Sequence, residues 1–321
     1  MKRIAVLGPH GTVTDESARY FFRDGEGEYE FIPYKQIADV FRATLNGDTD
    51  WSVIPIENAI DGSVSLHMDY LIHENRLPIQ AEWIYPSVQN LIGRRPAGSR
   101  NGGDAAASGG RGAGANAAES DGDRPYAGVR KVISIPVAIA QCRKFLGAEL
   151  PDVELEHVAS TAQGVRLVSE GADSGVAAIG TRLAAKLYGL DILAPDITDH
   201  QNNFTRFVLV GESRPALPES PLHKTTIIVT LPEDFPGALH QVLATFAWRR
   251  INLTKIESRP TKLKLGNYYF YIDVEQSLDS LLLQAALAEI EALHCQVRVM
   301  GSYPTYPYEA VSRPKESALE S

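Results

Sequence analysis

Ile4-Ala5-Val6-Leu7-Gly8-Pro9-His10-Gly11-Thr12 opens the chain with four apolar residues that run into a turn of glycine and proline. A short unbroken apolar run stopped by turn residues reads as a strand buried on both faces, the kind that parallel sheets use. The pattern recurs as far as Gly211. Strands are expected at Ile4–Leu7, Trp51–Ile54, Val129–Ser134, Val176–Ile179 and Phe207–Val210, with longer helical stretches between them. That alternation is α/β architecture with a largely parallel sheet. Helices are expected at Ala138–Leu146, where Pro136 suits the first turn, at Thr161–Ser169, where Ser160 is placed to cap, and at Gly180–Tyr188, closed by Gly189.

One stretch breaks the pattern. Ala97 to Arg124 holds eight Gly and eight Ala among 28 residues and no Val, Ile, Leu, Phe, Tyr or Trp. Such a segment cannot bury enough apolar surface to offset its ordering entropy, so it reads as a disordered surface insertion rather than a lid. Three prolines between Arg214 and Pro221 then mark a stiff connector. After it, Thr225–Leu231 is a β-branched strand, and Pro236 opens a helix with Leu239, Val242, Leu243 and Phe246 on one face. Asn252–Ser258 and Asn267–Val274 are two strands joined near Gly266, Leu281–Leu293 is helical, and Gln296–Met300 is a last strand. The order βαββαβ is ferredoxin-like, an α+β arrangement.

Composition bounds the function. The 321 residues fit about two domains, and 44% hydrophobic with 22% charged residues is ordinary globular usage. Against 40 Asp+Glu stand 31 Lys+Arg, a net charge of −9 that offers no footprint for nucleic acid. Cys142 and Cys295 are the two cysteines, far apart and in no metal-binding spacing. With no stretch near the length of a bilayer span and too short an apolar run at the start for a signal peptide, a cytoplasmic protein without a membrane partner is expected.

Several short segments carry chemistry. Gly8-Pro9-His10-Gly11-Thr12 follows a strand and can offer backbone N–H groups and a hydroxyl to an anion. Pro55-Ile56-Glu57-Asn58 also sits where a strand ends, the usual site position in open α/β sheets. Thr205-Arg206-Phe207 joins a hydroxyl, a guanidinium fork suited to carboxylates and an aromatic ring. In order along the chain, these segments together with Gly62-Ser63-Val64, Ala140-Gln141-Cys142, Ser160-Thr161-Ala162 and Asn203-x-Thr205-Arg206-Phe207 resemble the motif series of the prephenate dehydratase family. The second half resembles that family's ACT regulatory domain, with Gly237-Ala238-Leu239-His240 at a helix start and Glu257-Ser258-Arg259-Pro260 on a strand.

The resemblance implies a catalytic domain over 1–212 carrying the insertion at 97–124, a linker over 213–223, an ACT domain over 224–308 and a tail over 309–321. The catalytic fold it implies is two-lobed, like type II periplasmic binding proteins, with prephenate held between the lobes. It further implies conversion of prephenate to phenylpyruvate, carbon dioxide and water, no cofactor or metal, a homodimer or homotetramer, and feedback by L-phenylalanine. In that frame Thr205 is the catalytic threonine, hydrogen-bonding the hydroxyl that leaves. Arg206 is expected on the pyruvyl carboxylate, because clamping the carboxylate that departs as carbon dioxide would oppose the step. Glu57 is either a proton donor or orienting group at the substrate or a carboxylate paired with a nearby cation.

Asn58, Ser134, Gln141, Ser160, Thr161, Asn203, Gly11 and Thr12 are expected to complete the hydrogen-bonding shell, and Phe207 either walls the site or packs in the core. The phenylalanine site falls to Gly237, Ala238, Leu239, His240, Glu257, Ser258, Arg259 and Pro260. Departures from the family pattern are Ala59 for a serine, Ile135 and Val137 where histidine and glutamine are common, Val13 for an aromatic residue, and His67 for a threonine. Two alternatives compete: an arogenate dehydratase, which performs the same elimination on the amino analogue, and a non-catalytic amino-acid sensor.

Overall fold

The computed structural model describes residues 1–25, 27–95, 125–233, 235–262 and 268–308. The insertion at 97–124, the turn near Gly266 and the tail at 309–321 lie outside the described residues.

The chain begins with β1 (Lys2–Leu7), α1 (Val13–Phe21), β2 (Tyr29–Tyr34), α2 (Ile37–Leu45), β3 (Trp51–Asn58), β4 (Gly62–Ser63), α3 (Ser65–His73) and β5 (Ile79–Pro86). Next come β6 (Asn90–Gly93), β7 (Lys131–Ser134), α4 (Pro136–Gln141), α5 (Arg143–Glu149), β8 (Glu154–His157), α6 (Thr161–Glu170), β9 (Val176–Gly180), α7 (Arg182–Leu187) and β10 (Asp191–Ala194). The remainder is β11 (Phe204–Val210), β12 (His223–Thr230), α8 (Ala238–Trp248), β13 (Leu253–Pro260), β14 (Tyr268–Val274), α9 (Leu281–Ala292) and β15 (Gln296–Tyr306).

Two compact units result. The first gathers Met1–Leu7, Ser17–Pro86 and Phe204–Ser321; the second gathers Gly8–Glu16 and Ser87–Asn203. In the first, one sheet runs β13-β14-β12-β15-β5-β11-β3-β1-β2, with β4 added to β3. It is mixed rather than largely parallel: β1 lies parallel to β2 and β3, whereas β11 runs antiparallel to both β3 and β5. Ile4, Ala5 and Val6 are wholly buried, as a strand covered on both faces requires. The βαββαβ half joins this sheet through β15, whose Thr305 and Tyr306 pair in parallel with Glu82 and Trp83 of β5. Gly301 permits the approach, since a Cβ there would run into the Ile79 carbonyl oxygen. Ile228, Tyr271, Met300 and Tyr303 consequently share one core with Ile54, Met68 and Val208. The stiff connector thus leads into a sheet continuous with the first strands, not to a separate sheet.

In the second unit the sheet runs β10-β6-β9-β7-β8. The helix expected over Ala138–Leu146 is two helices, broken at Cys142, whose backbone leaves the helical region at φ −116, ψ 16. Pro136 takes the first-turn position, and Ser160 caps α6 by accepting from the Gln163 backbone N–H at 3.1 Å. The helix foreseen from Gly180 starts after Thr181, which caps it by accepting from Ala184 N–H at 3.0 Å.

Candidate active site

Pro55 sits inside β3 and has no N–H to give the ladder, so the β3–β11 register slips there: Arg206 faces Glu57, and the next residue, Phe207, faces Pro55. Beyond this bulge Asn58 stands directly across from Thr205. Cross-strand partners share a face, and the Asn58 Nδ2 donates to Thr205 Oγ1 at 3.0 Å. The amide is itself aimed, because Asn58 Oδ1 accepts from the backbone N–H groups of Ile60 (2.9 Å) and Asp61 (3.1 Å). A hydroxyl that accepts from an amide has its oxygen fixed in place by that bond.

Alternation along β11 sends Arg206 to the opposite face. There it meets three carboxylates: Glu57 at 3.4 Å, Asp273 at 2.6 Å and Glu82. Lys224 closes on the other oxygen of Glu82 at 2.7 Å, and Asp273 also accepts from Thr226 at 2.6 Å. Burial disfavours the guanidinium charge, yet the carboxylates of Asp273 and Glu82 outweigh it and hold the Arg206 pKa well above its ordinary value. Expected on a substrate carboxylate, the Arg206 guanidinium is here buried against carboxylates of its own unit. Glu57 bridges Arg206 and Lys255 (3.0 Å), the geometry of the paired carboxylate.

Of the two readings of Phe207, the geometry is that of core packing. It is fully buried and stacked on Trp83 with ring centroids 5.8 Å apart. His67 likewise is a core residue: its Nδ1 lies 2.8 Å from the Pro55 carbonyl oxygen, and burial lowers its pKa against that contact.

The second unit holds the other polar residues in different company. The Asn203 amide donates to Gln141 Oε1 at 3.0 Å and to the Ser87 carbonyl at 3.1 Å, bringing two of the expected residues together. Ser134 is buried and donates to the Ile179 carbonyl at 2.9 Å, a tie between β7 and β9. Ser160 spends its hydroxyl on the α6 cap, and Thr161 is the buried first residue of that helix. Gly11 has φ +91, and a Cβ there would come within 3.0 Å of Ala184. Its N–H donates to Asp15 Oδ2 at 2.9 Å, and Thr12 Oγ1 accepts from the Asp15 N–H at 3.3 Å, so this turn caps α1.

On β13, alternation leaves Ser258 and Pro260 exposed and turns Lys255, Glu257 and Arg259 inward. Glu257 accepts from Ser63 at 2.5 Å, pairs with Lys255 at 3.2 Å and contacts Arg259; Arg259 reaches Asp69 at 3.5 Å. Burial opposes ionisation of Glu257, but the Ser63 and Lys255 hydrogen bonds and the two cations prevail, lowering its pKa. Gly237, at φ +94, is the N-cap of α8, followed by buried Ala238, half-buried Leu239 and exposed His240. Lys255, Asp69, Glu82, Lys224 and Asp273 were not foreseen. Lys255 alone had a legible signal, standing two residues before Glu257 on a strand of period two.

Comparison with known proteins matches residues 4–215 to the family model for prephenate dehydratase and residues 225–292 to that for the ACT domain. A prephenate dehydratase of Bacillus subtilis is 36% identical over 312 residues, covering 95% of this chain and 99% of its own. The crystal structure of prephenate dehydratase from Arthrobacter aurescens in complex with L-Phe is 31% identical at a TM-score of 0.75, covering 99% of this chain and 93% of that one. The Staphylococcus aureus prephenate dehydratase structure is 27% identical at a TM-score of 0.72, covering 94% and 100%.

Proposed function

The chain belongs to the prephenate dehydratase family, and from that premise we propose that it converts prephenate to phenylpyruvate, carbon dioxide and water under feedback from L-phenylalanine. The observation that carries this reading is the Asn58–Thr205 hydrogen bond of 3.0 Å at the bulged end of β3, inside two of the family's motifs. Aromatisation of the ring supplies the driving force, so the protein has to orient the substrate and assist the departing hydroxide. Thr205 donates to that oxygen as the C–O bond breaks; Asn58 holds the threonine oxygen in place, a preorganised donor where negative charge develops. Loss of the ring carboxylate as carbon dioxide returns the electron pair to the ring as hydroxide leaves.

Arg206 acts behind this donor, anchoring β11 through Glu82 and Asp273. The effector reading rests on the ACT domain match and on the L-Phe complex of the Arthrobacter relative. Among the described residues no helix is long and apolar enough to cross a membrane; the proposed setting is the cytoplasm and the proposed assembly a homodimer or homotetramer. The test follows phenylpyruvate release from prephenate by the purified chain, with arogenate as the competing substrate and with added phenylalanine. Turnover of prephenate suppressed by phenylalanine is expected. Turnover of arogenate alone, or phenylalanine binding with no turnover of either substrate, overturns the reading in favour of the arogenate enzyme or the sensor.

A further inference from the structure

Lys255 lies on the strand assigned to the effector, yet its ammonium ends on the hairpin that carries Asn58. Its Nζ is 3.0 Å from Glu57 Oε1, 2.7 Å from Ser63 Oγ and 3.2 Å from Glu257 Oε2, and its side chain is 8% exposed. Glu57 and Ser63 are themselves cross-strand partners, in the rung next to the Asn58 and Gly62 pair. One cation therefore ties both arms of the β3–β4 hairpin to β13, and Ser63 adds a second tie by donating to Glu257 at 2.5 Å. The next side chain beyond Glu57 is Asn58, whose amide sets the Thr205 hydroxyl. A buried cation shared by two carboxylates is hard to remove and expensive to leave unbalanced, so parting this clamp carries a free-energy cost that an effector has to meet.

We infer that Lys255 is a positioning residue which, with Ser63, clamps the Asn58 hairpin to the effector strand, so that an effector engaging Glu257 or Arg259 loosens the hairpin and misplaces Thr205. The inference rests on the proposed function and adds the route between its two parts. An amino acid carries an ammonium and a carboxylate, the groups that compete for Glu257 and Arg259 respectively. Each such contact is made at the expense of Lys255, Ser63 or Asp69, because those partners now occupy the same side chains. The effector's differential contacts with the closed and parted states are what a coupling between sites requires.

The test compares Lys255→Met with the wild-type full chain by prephenate kinetics and by titration calorimetry with L-phenylalanine. Lys255→Met is expected to lower kcat about tenfold with KM within about twofold, to bind phenylalanine still, and to lose most of its suppression by it. Lys255→Arg, which keeps the cation, restores both kcat and suppression. Where Lys255→Met does not fold, Ser63→Ala decides, with a smaller fall in kcat and a weakened response. Wild-type kcat and full suppression in the variants overturn this inference alone, as does a loss of phenylalanine binding, which would put Lys255 in the effector site. A wild-type chain that turns over prephenate without responding to phenylalanine instead removes the effector half of the proposed function, and with it the effector half of this inference; the kcat comparison then judges the positioning role by itself.

Discussion

Replacing Arg206 by methionine separates two roles that one sequence motif allowed. A guanidinium waiting for a substrate carboxylate can be removed at little cost to the fold, whereas one buried among carboxylates cannot. The Arg206 side chain is 8% exposed, that of Glu82 3% and that of Asp273 0%. Lys224 still answers one oxygen of Glu82 after the substitution, whereas among the described residues Asp273 keeps Thr226 alone. Breaking a buried pair from one side costs about 3–5 kcal/mol, since the orphaned charge keeps its desolvation penalty. At about 2–4 °C per kcal/mol this is a Tm lowered by roughly 6–20 °C. Thermal and urea unfolding of Arg206→Met, Asp273→Asn and the double variant measure it. The double variant should fall short of the summed losses by about 0.5–3 kcal/mol, because the second change removes the charge the first one stranded. Arg206→Met with an unchanged Tm and a greatly raised KM for prephenate would refute this reasoning and return Arg206 to the substrate.

Ser160→Ala removes the α6 cap and should cost about 1 kcal/mol in urea unfolding, with α6 otherwise intact. His67 supplies a pH dependence. Burial holds its folded pKa below the usual histidine value, so as pH falls through about 6.5 the unfolded chain takes up the proton first and stability drops, by at most about 1.4 kcal/mol per pH unit. Urea midpoints of wild type and His67→Gln between pH 7.5 and 5.5 check it: the variant should show the shallower loss.

Much of the scaffold is legible because its elements carry local signals. Ile4–Leu7, Val176–Ile179 and the βαββαβ order announce themselves by apolar runs and punctuation. β5 does not, since Gln80 and Glu82, on the face opposite Ile79, Ala81 and Trp83, break the continuous apolar run that marks a strand buried on both faces; they are buried because partners arrive from remote sequence, Gln80 donating to the Gly211 carbonyl and Glu82 meeting Arg206 and Lys224. The same distance in sequence hides the surroundings of Arg206, whose partner Asp273 belongs to the ACT domain match. Thr205 and Asn58 could be nominated from motifs, but their pairing depends on the slip at Pro55, a register event that spacing does not encode. β15 outruns the strand foreseen at Gln296–Met300 because β5 offers it a further partner.

The most direct measurement is the steady-state turnover of prephenate by Thr205→Ala and Thr205→Ser beside the wild type. If Thr205 donates to the departing oxygen, the alanine variant loses about 10²–10⁴-fold in kcat with KM within a few fold and an unchanged Tm, and serine, which keeps the hydroxyl, recovers most of the rate. Full turnover by Thr205→Ala would contradict the account.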